Sequence, residues 1–277
     1  TSGPFRDGWK PYQEKGMPTI LAVSDDTQHL SRGFVPPQTA ESLHSTELPL
    51  RLRALQQVID GEFSVGIGTL IPLVDSPSLI ERRLALQALG KSKDPLAVPV
   101  LEKGLTDPEN GVRCVAALAL AQTHGAASAT ALLAAVEKHG NHMLRECAVI
   151  ALRRIQPIPI EVLSTSAVTA PDSRVREVAM RALLPNATAV MLPTFEAGLR
   201  DATRFPRFAA TEALGNVRKS PKAAEILIGT LVAEDIAVAN RAAVSLGVIA
   251  KRNELELNTL RPKILESLLL AFHRHAD

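Results

Sequence analysis

The fold is decided by a stretch at residues 110–120, NGVRCVAALAL, in which Arg113 stands among apolar residues. Related octets begin at Arg145 (RECAVIAL), Arg176 (REVAMRAL) and Arg207 (RFAATEAL). Each octet has an alanine three residues after its arginine and a leucine seven residues after it. This recurrence indicates an internal repeat.

The repeat has an almost constant period. The aligned arginines are separated by 31, 31, 32, 31 and 31 residues, and they are Arg51, Arg82, Arg113, Arg145, Arg176 and Arg207. The aligned alanines continue to Ala242, which follows Ala210 after a further 32 residues. Seven units therefore fill residues 46–277, of which the last runs longer.

Each unit is predicted to be a pair of helices. Offsets 0, 3, 6 and 7 from the arginine place the arginine, two small residues and the leucine on one helix face. A second apolar segment follows in each unit, as in ATALLAAVEKHG at residues 129–140. The pairs are predicted to begin near residues 46, 77, 108, 141, 172, 203 and 236.

Capping residues support these boundaries. Ser76-Pro77 and Asp107-Pro108 place a helix-capping side chain before a proline, which is typical of a helix start. Gly90 and Gly215 follow the aligned leucines, and we predict that they end their helices.

The unit Asp-x(5)-Arg-x-x-Ala-x-x-Ala-Leu, as in residues 107–120, resembles the short HEAT-like repeat of phycobilisome lyase subunits and many bacterial scaffold proteins. The resemblance covers about five-sixths of the chain. It implies an all-α fold, a right-handed α-solenoid of about seven helix pairs stacked on a continuous core. The last unit departs from the pattern, with Ala239 at the arginine position, and it is predicted to be a terminal cap.

Two domains are expected, an irregular N-terminal arm or linker at residues 1–45 and the repeat solenoid at residues 46–277. The first 45 residues contain Trp9, Tyr12 and five prolines, and they are too few to form a core of their own. A partner-binding motif is the alternative interpretation of this arm. Because the sequence begins with Thr1, we expect a processed or excised piece, which could belong to a multidomain chain.

The repeated arginines are interpreted as a structural ladder. An arginine beside a buried face can pack its methylenes on the core and donate to a carboxylate or carbonyl of the preceding turn. The predicted acidic members of this ladder are Asp75, Asp107, Asp172 and Asp201, each four to seven residues before an arginine. The alternative is a row of arginines along a groove that binds phosphates or acidic segments.

Composition limits the classes of partner. The 277 residues are 46% hydrophobic and 22% charged, as expected for a folded protein. The net charge of +2 gives no reason to expect nucleic-acid binding. The sequence contains no run of 18 uncharged apolar residues, so we do not expect membrane insertion. Two cysteines, Cys114 and Cys147, are too few for a disulfide framework and leave the compartment open.

No catalytic, cofactor or metal site is predicted. The chain has no GxxxxGK[ST], HExxH or GxSxG pattern, and the group His139, His142 and Cys147 lacks zinc-site spacing, even with His124. Deoxyhypusine hydroxylases resemble this fold but use His-Glu pairs for iron, and the chain has no His-Glu dipeptide. HEAT-like DNA glycosylases use an aromatic cleft, whereas no Trp or Tyr follows residue 12.

These observations predict a non-catalytic protein-interaction scaffold or an accessory subunit of a larger complex. The alternatives are an accessory subunit of an enzyme, such as a bilin lyase or a redox complex, and a repeat domain tethered to a catalytic domain. Protein partners are expected to contact the turns and the second helices. The predicted contact residues are Lys91, Lys93, Glu109, Lys138, His139, Arg218 and Lys219.

Overall fold

The computed structural model describes residues 40–123, 125–252 and 260–274, in which the regular elements are helices and no strand occurs. The first helices of the repeats are α1 (Leu48–Asp60), α3 (Leu79–Ser92), α5 (Asn110–Thr123), α7 (His142–Arg154), α9 (Ser173–Leu183), α11 (Arg204–Asn216) and α13 (Ile236–Arg252). The second helices are α2 (Ile67–Leu70), α4 (Val98–Gly104), α6 (Ala126–His139), α8 (Ile160–Thr169), α10 (Leu192–Leu199), α12 (Pro221–Thr230) and α14 (Arg261–Arg274). Repeats are numbered 1 to 7 by these pairs in chain order.

The helical prediction is confirmed. Each first helix begins within two residues of its predicted start. Short 3-10 turns precede or follow several helices, at Ala40–His44, Ile71–Asp75, Pro95–Ala97, Leu184–Asn186 and Ala189–Met191. Most of the predicted N-terminal arm, residues 1–39, lies outside the described residues.

The chain divides into two compact units, residues 1–63 and 64–277. In the described part of the first unit, the 3-10 turn Ala40–His44 contacts α1. Leu43 of the turn and Leu55 of α1 are buried. The predicted boundary at residue 45 remains a prediction.

In the second unit, each repeat packs on the next. First helices contact first helices from α3 through α13, and each second helix from α4 to α12 contacts the first helix of the following repeat. The contacts are formed by the aligned residues, such as Ala116 and Leu120, which are fully buried. A helix pair buries its apolar face against its neighbours, which is the arrangement of a repeat protein.

Side-chain capping marks the start of several helices, whereas α1 and α11 have no side-chain cap. Ser78 accepts a hydrogen bond from the amide of Glu81 (3.4 Å), and Asn141 accepts one from the amide of Leu144 (2.9 Å). The prediction that Ser76 caps α3 is wrong, because α3 begins at Leu79 and Ser78 is its cap. Ser76 instead donates its hydroxyl hydrogen bond to the Glu81 carboxylate.

Gly90 and Gly215 do not end their helices, so that prediction is also wrong. Both lie inside a first helix, and a Cβ atom on Gly90 would stand 2.6 Å from the Cβ of Ala119 in the next repeat. A Cβ on Gly215 would stand 2.8 Å from the Cβ of Ser245. Glycine at this position therefore lets two successive first helices approach closely.

Candidate functional site

The repeated arginines bind the entrance of their own helix. In five of the six, Nη1 donates to the carbonyl oxygens six and five residues earlier, and these are Arg51, Arg82, Arg113, Arg176 and Arg207. In Arg176, for example, the distances are 2.8 Å to Ala170 and 2.9 Å to Pro171. These carbonyls precede the helix and have no intrahelical donor, so the arginine supplies a donor to acceptors that are partly buried or exposed.

The carboxylate partners of two arginines come from the next repeat. Arg82 donates from Nε (2.9 Å) and Nη2 (3.2 Å) to Asp107, and Arg176 donates from Nε (2.5 Å) and Nη2 (3.0 Å) to Asp201. These side chains are only 7–14% exposed. Each bidentate pair therefore joins two consecutive repeats in a mostly buried position.

This pairing differs from the predicted one. The sequence suggested that Asp107 pairs with Arg113 and Asp201 with Arg207, six residues later in each case. In the structure, the backbone carbonyl of each aspartate accepts from that arginine, while the carboxylate turns toward the preceding repeat. The spacing of six residues correctly predicted that each aspartate lies next to the arginine of its own repeat. It did not predict that the backbone carbonyl, and not the carboxylate, accepts the hydrogen bond from that arginine.

The other two predicted aspartates also have different partners. Asp75 forms an exposed ion pair with Lys103 (2.6 Å) instead of Arg82, and both side chains are more than 60% exposed. Asp172 pairs with Arg174 (2.5 Å) and caps α9 through the amide of Arg174. Hydrogen bonding from the Arg174 side chain is the main cause that lowers the pKa of Asp172.

Further arginines bind acidic side chains across repeats. Arg145 donates to Glu177 (2.9 Å), and Arg207 donates to Asp235 (2.9 Å). Arg181 also donates to Glu146 in the preceding repeat (2.7 Å). Ion pairs of this kind therefore recur at different positions of the first helices.

The Asp201 carboxyl has a perturbed acidity. Burial alone would raise its pKa, but hydrogen bonds from Arg176 and Thr203 outweigh burial and lower the pKa below its ordinary value of 3.8. The same balance of burial against hydrogen bonds from Arg204 and Arg207 lowers the pKa of Asp235. Both carboxylates are therefore held in their charged form.

One junction is different. Among the described residues Arg113 has no carboxylate within ion-pair distance, and it donates instead to Asn110 and to two carbonyls. A disulfide joins Cys114 of α5 to Cys147 of α7 across this junction, with a Cα to Cα distance of 5.4 Å. The sequence indicated no disulfide framework, but the two cysteines are 33 residues apart, about one repeat period.

The predicted partner-contact residues lie at two kinds of position in the repeats. Lys91, Lys93, Arg218 and Lys219 lie at the ends of α3 and α11, whereas Glu109, Lys138 and His139 lie where one repeat leads into the next. All are exposed except His139, which is half-buried.

An apolar stripe on α13 was not found from the sequence. Ile236, Val244 and Val248 recur at helical spacing and are 37–50% exposed, with exposed Gly247 between the valines. We call these four residues the α13 stripe. On α14, Leu265, Leu269 and Leu270 are 57–61% exposed. The described helices of repeat 7 therefore expose apolar residues, and its role as a terminal cap remains a prediction.

The stripe has a signal in the sequence that was overlooked. The tripeptides ALG at residues 88–90, ALG at 213–215 and SLG at 245–247 place glycine at the same repeat position. Gly90 and Gly215 each contact the following first helix, whereas no atom lies within 4 Å of a Cβ built on Gly247. At Gly247, the helix that would contact the third glycine is therefore missing among the described residues.

The described part of the chain has no group of three or more histidine, cysteine, aspartate or glutamate side chains suited to a metal ion. In the same part, no helix combines the length and the apolar character needed to cross a bilayer.

Comparison with known proteins identifies the repeat. Residues 67–153 match the family model described as HEAT repeats. No curated protein matches the chain.

Several solved structures are similar to the chain. An archaeal HEAT-like repeats protein from Thermococcus onnurineus NA1 is 17% identical, with 78% of this chain and 99% of that chain covered and a TM-score of 0.48. The complex of CpcE and CpcF of phycocyanin lyase from Nostoc sp. PCC7120 is 21% identical, with 86% and 90% covered and a TM-score of 0.37. Human deoxyhypusine hydroxylase is 19% identical, with 94% and 99% covered and a TM-score of 0.33. The family match over residues 67–153 and the stacked helix pairs show that the chain contains HEAT-like repeats.

Proposed function

We propose that this protein is a non-catalytic interaction scaffold, or an accessory subunit of a larger complex, which binds a helix of a protein partner on the α13 stripe. The observation that supports the proposal is the open space next to Gly247, where no atom lies within 4 Å of a Cβ built on the residue. Gly247 stands at the repeat position at which Gly90 and Gly215 each receive a neighbouring first helix.

The stripe offers the partner a surface like those inside the array. At the two occupied positions, the residue facing the glycine is small, Ala119 against Gly90 and Ser245 against Gly215. Val244 and Val248 flank Gly247 and leave apolar surface in contact with water. Burial of that surface by a second helix would supply the free energy of binding.

The chemistry of the stripe defines the partner. We infer an amphipathic helix that presents alanine, serine or glycine opposite Gly247 and aliphatic residues on either side. Lys251, an exposed residue one helical turn beyond Gly247, adds a positive charge at the end of the stripe. A carboxylate at the corresponding end of the partner helix would complement that charge.

Affinity capture with two matched glycine variants tests the proposal. Gly247→Leu places a bulky side chain on the stripe, whereas Gly229→Leu adds the same side chain at an exposed glycine of α12 with no atom within 4 Å. We expect a stoichiometric partner that is captured by the wild type and by Gly229→Leu but lost with Gly247→Leu. Equal capture by all three proteins would refute the assignment of the stripe.

The predicted contact residues at the ends of the helices are proposed as secondary contacts. Lys91 and Lys93 are exposed at the C-terminal end of α3, far along the chain from the stripe. Charge reversal at both lysines is expected to weaken partner binding less than Gly247→Leu does, because exposed charges contribute little to affinity. A larger loss of binding with the lysine variant would place the binding surface at the C-terminal end of α3.

An enzyme complex is one setting for the same interaction. If the protein is an accessory subunit, the catalytic subunit would contribute the docking helix. The isolated chain is then expected to turn over no substrate, and activity would require the captured partner. Turnover by the isolated chain would overturn the non-catalytic assignment.

The arginine ladder is proposed to serve the stability of the array. Its guanidinium groups donate to helix-entrance carbonyls and to carboxylates of adjacent repeats, as in Arg82 and Arg176. These contacts use donors that a phosphate or an acidic segment would require. We therefore favour the structural interpretation over a phosphate-binding groove.

A further inference from the structure

The junctions between repeats are not held together in the same way. Each described junction from repeat 2 to repeat 7 has at least one ion pair, except the junction of repeats 3 and 4. The pairs are Arg82 with Asp107, Arg145 with Glu177, Arg181 with Glu146, Arg176 with Asp201, and Arg207 with Asp235. The exception is the junction of α5 with α7.

The sequence explains why the ion pair is missing there. Asp107 and Asp201 stand six residues before the aligned arginine of their repeat, and in repeat 4 this position is His139. The carboxylate that would bind Arg113 is therefore replaced by an imidazole. The remaining polar contacts of this junction include a neutral hydrogen bond, from the amide of Asn141 to Asn110 (2.6 Å).

The same junction carries the disulfide. Cys114 belongs to α5 and Cys147 to α7, and their Cα separation of 5.4 Å lies within the usual range for a disulfide. The residues are 1% and 7% exposed. A covalent bond thus takes the place of the ionic contact at the junction that lacks one.

We propose that Cys114 and Cys147 form a redox modification site that controls the stiffness of the array between repeats 3 and 4. In the oxidised protein the disulfide ties α5 to α7. In the reduced protein, the contacts of this junction among the described residues are apolar packing and the uncharged hydrogen bond of Asn141 with Asn110. The reduced array would then bend or open at this junction before any other. This inference is independent of the partner proposed for the α13 stripe.

The chemistry is a thiol–disulfide exchange with a dithiol reductant, such as a dithiol oxidoreductase. A thiolate of the reductant attacks the sulfur of Cys147, the more exposed of the two, and the S–S bond breaks with Cys114 leaving as a thiolate. The second thiol of the reductant then resolves the mixed disulfide. The protein gains two electrons and two protons as two thiols, and the reductant becomes a disulfide.

Burial has a consequence for this exchange. Because both cysteines are nearly inaccessible, attack requires a transient opening of the junction. A partner or a load that opens repeats 3 and 4 would therefore accelerate reduction. The extent of disulfide reduction would therefore depend on whether a partner or a load opens the junction, as well as on the redox state of the surroundings.

Hydrogen exchange measured by mass spectrometry on the full chain tests the proposal. Non-reducing peptide mapping first counts the disulfide, and the oxidised protein is then compared with protein reduced by dithiothreitol and with Cys147→Ala. We expect amide exchange in α5 and α7 to rise by about tenfold or more in both reduced forms, because local opening becomes easier there. Exchange in α9 and α11 should stay within about twofold.

A matched variant separates the disulfide from general destabilisation. Arg176→Met removes the ion pair at the junction of repeats 5 and 6 and leaves the cysteines in place. Its exchange should rise in α9 and α11, whether or not dithiothreitol is present. The proposal is overturned if the cysteines are free thiols in the non-reduced protein. It is also overturned if reduction changes no exchange rate, or raises all rates equally.

Discussion

The ion pair of Arg176 with Asp201 allows a quantitative test of the ladder. Replacing Arg176 with methionine keeps the aliphatic contacts of the side chain and removes the guanidinium. Two hydrogen bonds to Asp201 are lost, at 2.5 and 3.0 Å, and two to the carbonyls of Ala170 and Pro171, at 2.8 and 2.9 Å. The Asp201 carboxylate, only 7% exposed, is left without its counter-charge.

The expected loss lies between the values for exposed and fully buried pairs. Breaking a buried ion pair by removing one partner costs about 3 to 5 kcal/mol, whereas an exposed pair contributes about 0 to 1 kcal/mol. Asp201 keeps two hydrogen bonds from Thr203, from the amide and the hydroxyl at 2.8 Å each. We therefore expect Arg176→Met to lower the free energy of unfolding by about 2 to 4 kcal/mol.

Urea unfolding followed by circular dichroism measures this loss. Lys103→Met is the control, because Lys103 and Asp75 form an ion pair of similar length with both side chains about two-thirds exposed. That variant should cost at most about 0.5 kcal/mol. If the two variants lose the same small free energy, the ladder does not stabilise the array. Retained stability together with lost partner binding would assign the arginines to binding.

Three further predictions concern the same contacts. Arg113→Met should lower the free energy of unfolding by about 1 kcal/mol in urea, less than Arg176→Met, because no carboxylate is left unpaired; an equal or larger loss would contradict this. Gly90→Ala should destabilise by about 1 to 3 kcal/mol, since its Cβ would stand 2.6 Å from Ala119, whereas Gly247→Ala should stabilise by about 0.5 to 1 kcal/mol; the reverse order of urea midpoints would show that the glycine register is misread. Because the pKa of Asp201 is lowered, its contribution is complete above pH 3.8 and is lost as the pH falls through the lowered value; the stability difference between wild type and Arg176→Met should therefore shrink in acid, and a constant difference in melts down to about pH 2 would exclude an ionic contact.

The helix pairs could be predicted because each unit repeats the same apolar spacing. The arginine, small residues and leucine of RCVAALAL define a buried helix face, and seven copies fix the starts of the first helices closely. Glycine was misread in this pattern. Gly90 and Gly215 follow a leucine as a helix-ending glycine does, but their role is to admit the next helix, which depends on contacts between repeats.

The sequence spacing predicted which residues of the arginine ladder lie close together, but not which atoms form the hydrogen bonds. Spacing of six residues correctly brought Asp107 near Arg113, because the entrance of a helix folds back over its first turn. It could not show that the carboxylate points to Arg82, 25 residues earlier, since that contact depends on how two repeats stack. The disulfide of Cys114 with Cys147 was overlooked for the same reason, although the cysteines are one repeat apart.

The exposure of the α13 stripe also could not be predicted from the sequence pattern. Val244 and Val248 look like core residues of any amphipathic helix, and only the structure shows that no further helix of the described chain covers them. The terminal repeat thus carries the same apolar character as inner repeats on a face that meets solvent.

Site-specific photo-cross-linking tests the central claim, that a partner helix docks on the α13 stripe, most directly. A photoreactive phenylalanine analogue is placed at Val244 on the stripe, or at Glu225, an exposed position on α12, as a control. We predict that the analogue at Val244 forms one discrete adduct with the captured partner and that the analogue at Glu225 forms none. Adducts from Glu225 with none from Val244 would contradict the account and place the partner on the second helices.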